Sequence, residues 1–212
     1  MQDIKKLIDI RIFITIIIYT IIFYYLGYSV YTLNQTSIYD ENGILENIQV
    51  LTLTLSCLIF LLPVINQKRE DKLILLFFSL LCLGFILREL DVEKLNVPDI
   101  LIFVGSGIGR NIIITTGFII LISYAVVNRH YYKKLGKKFI MSVDGSLMIL
   151  AAIFLFSGSY FEHNTLLQHH VFLEEIFELS GYVLILLVSL ILYKNKLYLK
   201  AYNKQTQSKS ES

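Results

Sequence analysis

Charged residues are scarce in this sequence. Asp, Glu, Lys and Arg make up 17% of its 212 residues, against 55% hydrophobic residues, and mean hydropathy is +0.63. A water-soluble domain of this size could not hide that much apolar surface without leaving large exposed patches. Tryptophan is absent. Anchoring at a membrane interface, a role Trp and Tyr share, therefore falls to the 14 tyrosines. Tyr24, Tyr25, Tyr28 and Tyr31 close the first apolar block, and Tyr193, Tyr198 and Tyr202 follow the last. The two cysteines, Cys57 and Cys82, form no C-x-x-C motif and lie inside apolar stretches, where they read as small packed or lipid-facing residues. The four histidines form no H-E-x-x-H or H-x-x-x-H pair. Internal repeats and a folded basic domain are also missing, which argues against nucleic-acid binding. The length fits one domain, or at most two.

The apolar residues come in six blocks near 20 residues, bounded by charge, at about 12–31, 45–64, 73–91, 109–127, 139–157 and 174–193. About 20 helical residues cross the roughly 30 Å hydrocarbon core. Only helices and closed barrels satisfy every backbone group in lipid, and none of the blocks alternates as a barrel strand would. The sequence thus predicts an all-α, polytopic transmembrane bundle of six spanning helices. It forms a single domain over 1–202, followed by a polar, disordered cytoplasmic tail at 203–212. The first block follows Lys5, Lys6 and Arg11, as a signal peptide would. Its core is too long and no small-x-small site follows at 28–35, so it reads as a retained signal-anchor.

Lys and Arg in short loops face the cytoplasm. With the N-terminus inside, sixteen of the nineteen basic residues fall on the inner side, and only Arg88, Lys94 and Arg110 fall outside. An even number of spans returns the C-terminus to the cytoplasm. The acids are biased the other way: Asp40, Glu41, Glu46, Glu89, Asp91, Glu93, Asp99, Glu162, Glu174, Glu175 and Glu178 are all on the outer side. The net charge of +2 therefore hides two faces of opposite sign. The inner face is expected to meet anionic lipid head groups. The expected location is the inner (plasma) membrane, multi-pass, with a second copy or another membrane protein as partner. The overall pattern looks like that of small bacterial membrane proteins.

Ionisable groups at membrane depth are costly, and mark functional candidates. The apolar stretch 73–87 is 15 residues, roughly 22 Å at 1.5 Å per residue, so the third span must continue through Arg88, Glu89 and Asp91. Counting back about 20 residues from Val127 sets Arg110 and Asn111 at outer depth. The glycine-rich run 105–109 is a poor helix former and separates a re-entrant or interfacial segment, 98–104, from the fourth span. His170, Glu174 and Glu178 are spaced i, i+4, i+8 and share one helix face, next to Glu175. Glu46 and Gln49 share a face of the second span. Six carboxylates thus stand at one level with two arginines, and the excess charge must be hydrated, protonated or neutralised by a cation.

Three uses of these residues compete. Some of the acids could pair with Arg88 and Arg110 as structural bridges. The cluster could shuttle protons or cations. Or it could bind a divalent metal, since carboxylates with imidazole suit zinc, manganese or iron, and His163 and His169 lie on the same side as His170. The reading favoured by the sequence is a metal-dependent hydrolase or transferase acting on a lipid or envelope substrate. Glu89, His170, Glu174 and Glu178 would be its metal ligands. Glu46 would be a general base for a metal-bound water, and Arg88 or Arg110 would hold an anionic head group. The alternative is a non-catalytic carrier, sensor or accessory subunit. Asp144, near the inner end of the fifth span, is expected to pair with a lysine or snorkel, and His130 is assigned no role. Known intramembrane motifs fail on single residues. Glu174-Glu175 would need arginine at 179 to match the paired glutamates of prenyl-protease-like enzymes, and Leu179 stands there. Ser106 would need glycine at 103 to match the rhomboid serine motif, and Phe103 stands there.

Overall fold

The computed structural model describes residues 2–40, 43–66, 69, 71–90, 92–94, 97–163 and 166–194, with side chains of 2–12, 15 and 194 excepted. The tail 203–212 and Asp91 lie outside the described residues. Among those residues the chain is all-helical and contains no strand. The helices are α1 (Gln2–Tyr31), α2 (Ile44–Asn66), α3 (Lys72–Glu89), α4 (Asp99–Gly105), α5 (Gly107–Val127), α6 (Arg129–Ile140), α7 (Val143–Glu162) and α8 (His170–Lys194). Short 3-10 turns occupy Thr36–Ile38 and Val92–Lys94. Four helices are long and apolar enough to cross a membrane: Ile44–Asn66, Gly107–Val127, Val143–Glu162 and His170–Tyr193. In α1 the described apolar stretch is Ile16–Tyr31, and α3 carries Lys72, Arg88 and Glu89 within its 18 residues.

The bundle is built around α8. Leu53 and Phe60 of α2, Leu75 and Cys82 of α3, Ala151 of α7, and Tyr182, Ile185 and Val188 of α8 form the main buried cluster. A second cluster joins α1, α2 and α8 through Leu26, Val30, Leu45, Phe172, Ile176 and Leu179. Neighbours run antiparallel where Phe77 of α3 meets Phe118 of α5, and where Ala151 and Leu155 of α7 meet Gly181 of α8. A Cβ at Gly181 would sit 2.8 Å from Leu155 Cγ and 3.2 Å from the Ala151 carbonyl oxygen, so glycine lets α7 and α8 approach closely.

The distribution of polarity is that of a molecule solvated by hydrocarbon. Gln49, Thr52, Ser56, Ser79, Glu178, Ser180 and Ser189 are buried, whereas Ile108, Val127 and Phe156 are more than three-quarters exposed. The inward hydroxyls are satisfied along their own helices: Thr52 donates to the Ile48 carbonyl at 2.7 Å, and Ser56 donates to that of Thr52 at 2.7 Å. No residue of the apolar span window of α5 is buried. A helix apolar on every side needs an apolar surrounding. Cys57 and Cys82 are free thiols, and Cys57 Sγ lies 3.2 Å from Ser79 Oγ, in keeping with packed small residues.

Two details differ from the sequence reading. The basic stretch after Val127, expected as a loop, forms α6, and the fifth long helix begins at Val143 instead of 139. The break is local. Ser142 is extended (φ −90°, ψ 167°) and caps α7 by accepting from the Gly145 N–H at 3.2 Å, which ends one helix and starts the next. Phe139 therefore belongs to α6. Asp144 is buried in the first turn of α7.

The expected break at 105–109 is an elbow between α4 and α5. Ser106 is extended (φ −130°, ψ 162°) and Gly107 takes φ +52°, a left-handed backbone open to glycine. At Gly109 a Cβ would lie 1.9 Å from the Phe103 carbonyl oxygen. Gly109→Ala is therefore expected to force the elbow open at about 1–3 kcal/mol. The check is thermal unfolding in mild detergent, where an unchanged melting temperature would mean that the two helices do not meet there.

Candidate functional site

The elements that meet at the acidic end of the bundle are the first turns of α2 and α8, the last turn of α3, and the α4–α5 elbow. At their centre is Arg88. Its guanidinium donates to Glu89 Oε1 from Nη2 at 2.7 Å and from Nε at 3.0 Å. Nη2 also pairs with Glu178 Oε2, across from α8. Tyr182, one turn beyond Glu178, donates its hydroxyl to Glu89 Oε1 at 2.8 Å and stands 3.2 Å from Arg88 Nη2. The two carboxylates are almost fully enclosed, with side-chain exposures of 7% for Glu89 and 5% for Glu178, while Arg88 remains 47% exposed on its other side. Four charged or polar groups from α3 and α8 thus form one knot, with two acids on one arginine.

Beside the knot, Gln49 joins α2 to α8. Its Nε2 donates to Glu175 Oε2 at 2.7 Å and to the Glu175 carbonyl at 3.0 Å. Gln49 is fully buried, and its Oε1 has no hydrogen-bond partner among the described residues. Glu175 lies within Coulombic range of Glu46, Glu89 and Glu178, and Glu174 within range of Glu162, Glu178 and Arg88. Glu89, Glu174, Glu175 and Glu178 therefore stand together with one paired guanidinium. That excess negative charge in a poorly hydrated site calls for protons, water or a cation.

On the other flank of Arg88 a polar cavity of about 360 Å³ opens between α2, α3 and the elbow. Glu46, Arg88, Glu89, Glu93, Ser106 and Arg110 contribute to its wall. The three residues expected as base and anion holders, Glu46, Arg88 and Arg110, thus line one space. Arg110 projects from the first turn of α5. Its Nη1 donates to the Leu87 carbonyl at 2.8 Å, and no carboxylate bonds it among the described residues. A guanidinium carries further donors of the kind that bind an anion.

The expected metal ligands distribute differently. Glu89 and Glu178 meet on Arg88. Glu174 sits one turn away from Glu178, and His170 two turns away at the start of α8. Among the described residues no group of three or more His, Cys, Asp or Glu is arranged to hold a metal ion. Two histidines are used elsewhere. His169 Nδ1 lies 3.0 Å from the Tyr39 hydroxyl and its ring packs edge-on to Tyr31, while His163 Nδ1 lies 2.9 Å from the Ser159 carbonyl of its own helix. Asn111 is exposed.

Tyr182 was missed by sequence reasoning, although the stripe His170, Glu174, Glu178 reaches it at the next i+4 step. Glu93 was read only as a loop acid. No family model, curated protein or solved structure matches this chain.

Proposed function

We propose that the chain is a six-span membrane protein, with α1, α2, α3, α5, α7 and α8 crossing and both termini in the cytoplasm. Its extracytoplasmic pocket takes the phosphate-bearing head of a lipid or envelope precursor. The observation that carries this reading is Arg110, whose guanidinium donates to the Leu87 carbonyl in the wall of a polar 360 Å³ cavity, with no carboxylate bonded to it among the described residues. Arg110 is the phosphate clamp, and the exposed side of Arg88 supports it. Glu46, on the same wall, is the general base for hydrolysis or transfer at the bound head. A divalent cation drawn to Glu174, with His170 on the same stripe and the outer carboxylates of Glu89 and Glu178 nearby, is the proposed counter-charge to the acids. The six-span topology draws support from the basic bias of the opposite end and the length of α3, roughly 27 Å at 1.5 Å per residue.

A second reading has its own observation. Arg88 is occupied by Glu89, Glu178 and Tyr182, which is what a structural bridge in a non-catalytic carrier, sensor or accessory subunit requires.

The two readings separate by calorimetric titration of the detergent-solubilised protein with glycerol 3-phosphate, the soluble head of a phospholipid. Wild type is expected to bind, and Arg110→Gln to bind about 10–100-fold more weakly, the worth of a lost charge-assisted contact. Glu46→Gln is expected to keep binding and lose head-group release from phospholipid vesicles. Equal affinity in wild type and Arg110→Gln would sink the clamp and leave the structural reading. Elemental mass spectrometry beside a Glu174→Gln/Glu178→Gln variant reports on the cation: metal retained by both proteins would remove those acids from its site.

A further inference from the structure

At the opposite end of the bundle, α6 carries Arg129, Lys133, Lys134, Lys137 and Lys138 within twelve residues, and no acid. The sequence holds no Asp or Glu from 129 to 143. Arg69, another cation of this end, is enclosed and taken up by Asp71. Beneath α6 lies an apolar cavity of about 340 Å³, wedged between the first turns of α3 and the last turns of α5. Leu73 and Phe77 form one wall and Leu121 the other, while Tyr132, Gly136 and Phe139 of α6 form the roof. At Gly136 a Cβ would meet nothing within 4 Å.

We infer that this end holds a seat for one anionic phospholipid, its acyl chain in the cavity and its phosphate on the lysines of α6. The choice of occupant follows from charge. Five of the twelve α6 residues are Lys or Arg and none is acidic, so a lipid with net negative charge gains from it, whereas a zwitterionic lipid brings its own ammonium group. A basic amphipathic helix at the headgroup level is attracted to anionic lipid by about 1 kcal/mol per lysine. The seat is separate from the Arg110 pocket. It rests on the proposed topology, in which α3 and α5 cross the bilayer and α6 lies at the cytoplasmic face.

The test is native mass spectrometry of the full chain, released from mild detergent after equilibration with equal amounts of phosphatidylglycerol and phosphatidylcholine. Wild type is expected to retain one phosphatidylglycerol per chain. Lys133→Gln/Lys134→Gln/Lys137→Gln is expected to weaken retention on the order of a hundredfold. Gly136→Phe leaves every charge in place, adds its ring where a Cβ meets nothing within 4 Å, and is expected to lower occupancy at least tenfold at an unchanged melting temperature. Equal retention of the two lipids, or full retention by Gly136→Phe, would overturn the seat and leave only diffuse surface attraction. A Lys134→Cys probe in a Cys57→Ala/Cys82→Ala background separates this from the topology. It is expected to react with an impermeant maleimide only after cells are opened. Labelling of intact cells overturns the topology, and the inner-leaflet placement with it. Cytoplasmic labelling with no lipid selectivity overturns the seat alone.

Discussion

Arg69→Met is expected to lower stability by about 3–5 kcal/mol, the cost of leaving one member of a buried ion pair uncompensated. The Arg69 side chain is 1% exposed and that of Asp71 9%. The guanidinium meets Asp71 through two parallel bonds, Nε to Oδ1 at 2.8 Å and Nη2 to Oδ2 at 2.6 Å, and its Nη1 reaches the Leu192 carbonyl at 2.9 Å. Removing the arginine strands the Asp71 carboxylate and an end carbonyl of α8 together. At roughly 2–4 °C per kcal/mol for a chain of this size, the melting temperature in detergent should fall on the order of 10 °C. The double variant Arg69→Met/Asp71→Leu removes both charges and is expected to recover most of the loss, because a buried pair is replaceable by apolar groups more cheaply than it is halved. A single variant within about 1 kcal/mol of wild type would show that water reaches the pair.

Arg88→Met is the second large effect. It leaves Glu89 and Glu178 facing each other inside the bundle at 7% and 5% exposure. The expected cost is about 2–4 kcal/mol, below that of Arg69 because the guanidinium is 47% exposed and partly screened. Tyr182→Phe removes one hydroxyl from the same knot and should cost about 1 kcal/mol. Adding Glu178→Gln to Arg88→Met should restore part of the loss, since one stranded charge is removed. If the double variant is less stable than Arg88→Met by the full cost of Glu178→Gln alone, the two residues do not act on each other.

Depth was legible in the sequence and lateral position was not. Counting residues from the apolar boundaries placed Arg88, Arg110 and Glu178 at one end, and glycines 105, 107 and 109 marked the elbow between α4 and α5. Both follow from the fixed rise of a helix and from glycine's permitted backbone. Which helices touch is decided by side-chain packing over long sequence separations, and no local pattern carries it. Arg88 and Glu178 lie ninety positions apart, and Gln49 and Glu175 lie 126 apart. Arg69 illustrates another blind spot. Counted as one of the basic residues that orient the chain, it is enclosed by Asp71, a partner two positions away to which the sequence pattern assigned no role. α6 was hidden for a related reason. Its lysines dominate the local composition, and Tyr132 and Phe139, which roof the cavity, look like isolated aromatics unless they are set on a helical wheel.

The two arginines stand at opposite ends of one rod. Arg69 grips α8 at Leu192, and Arg88 grips it at Glu178, both from the α2–α3 side. A piston stroke of α8, even by a fraction of its 5.4 Å pitch, would pull both grips beyond hydrogen-bond reach at once, and a one-residue rotation of about 100° would turn Glu178 away from Arg88. Axial signalling through α8 is therefore closed off. α1 meets α8 through Tyr19 and Ser180 and through the ring contact of Tyr31 with Phe172, and neither contact involves an arginine. A sideways shift of α1 would therefore leave both grips in place, with α8 as the fixed post.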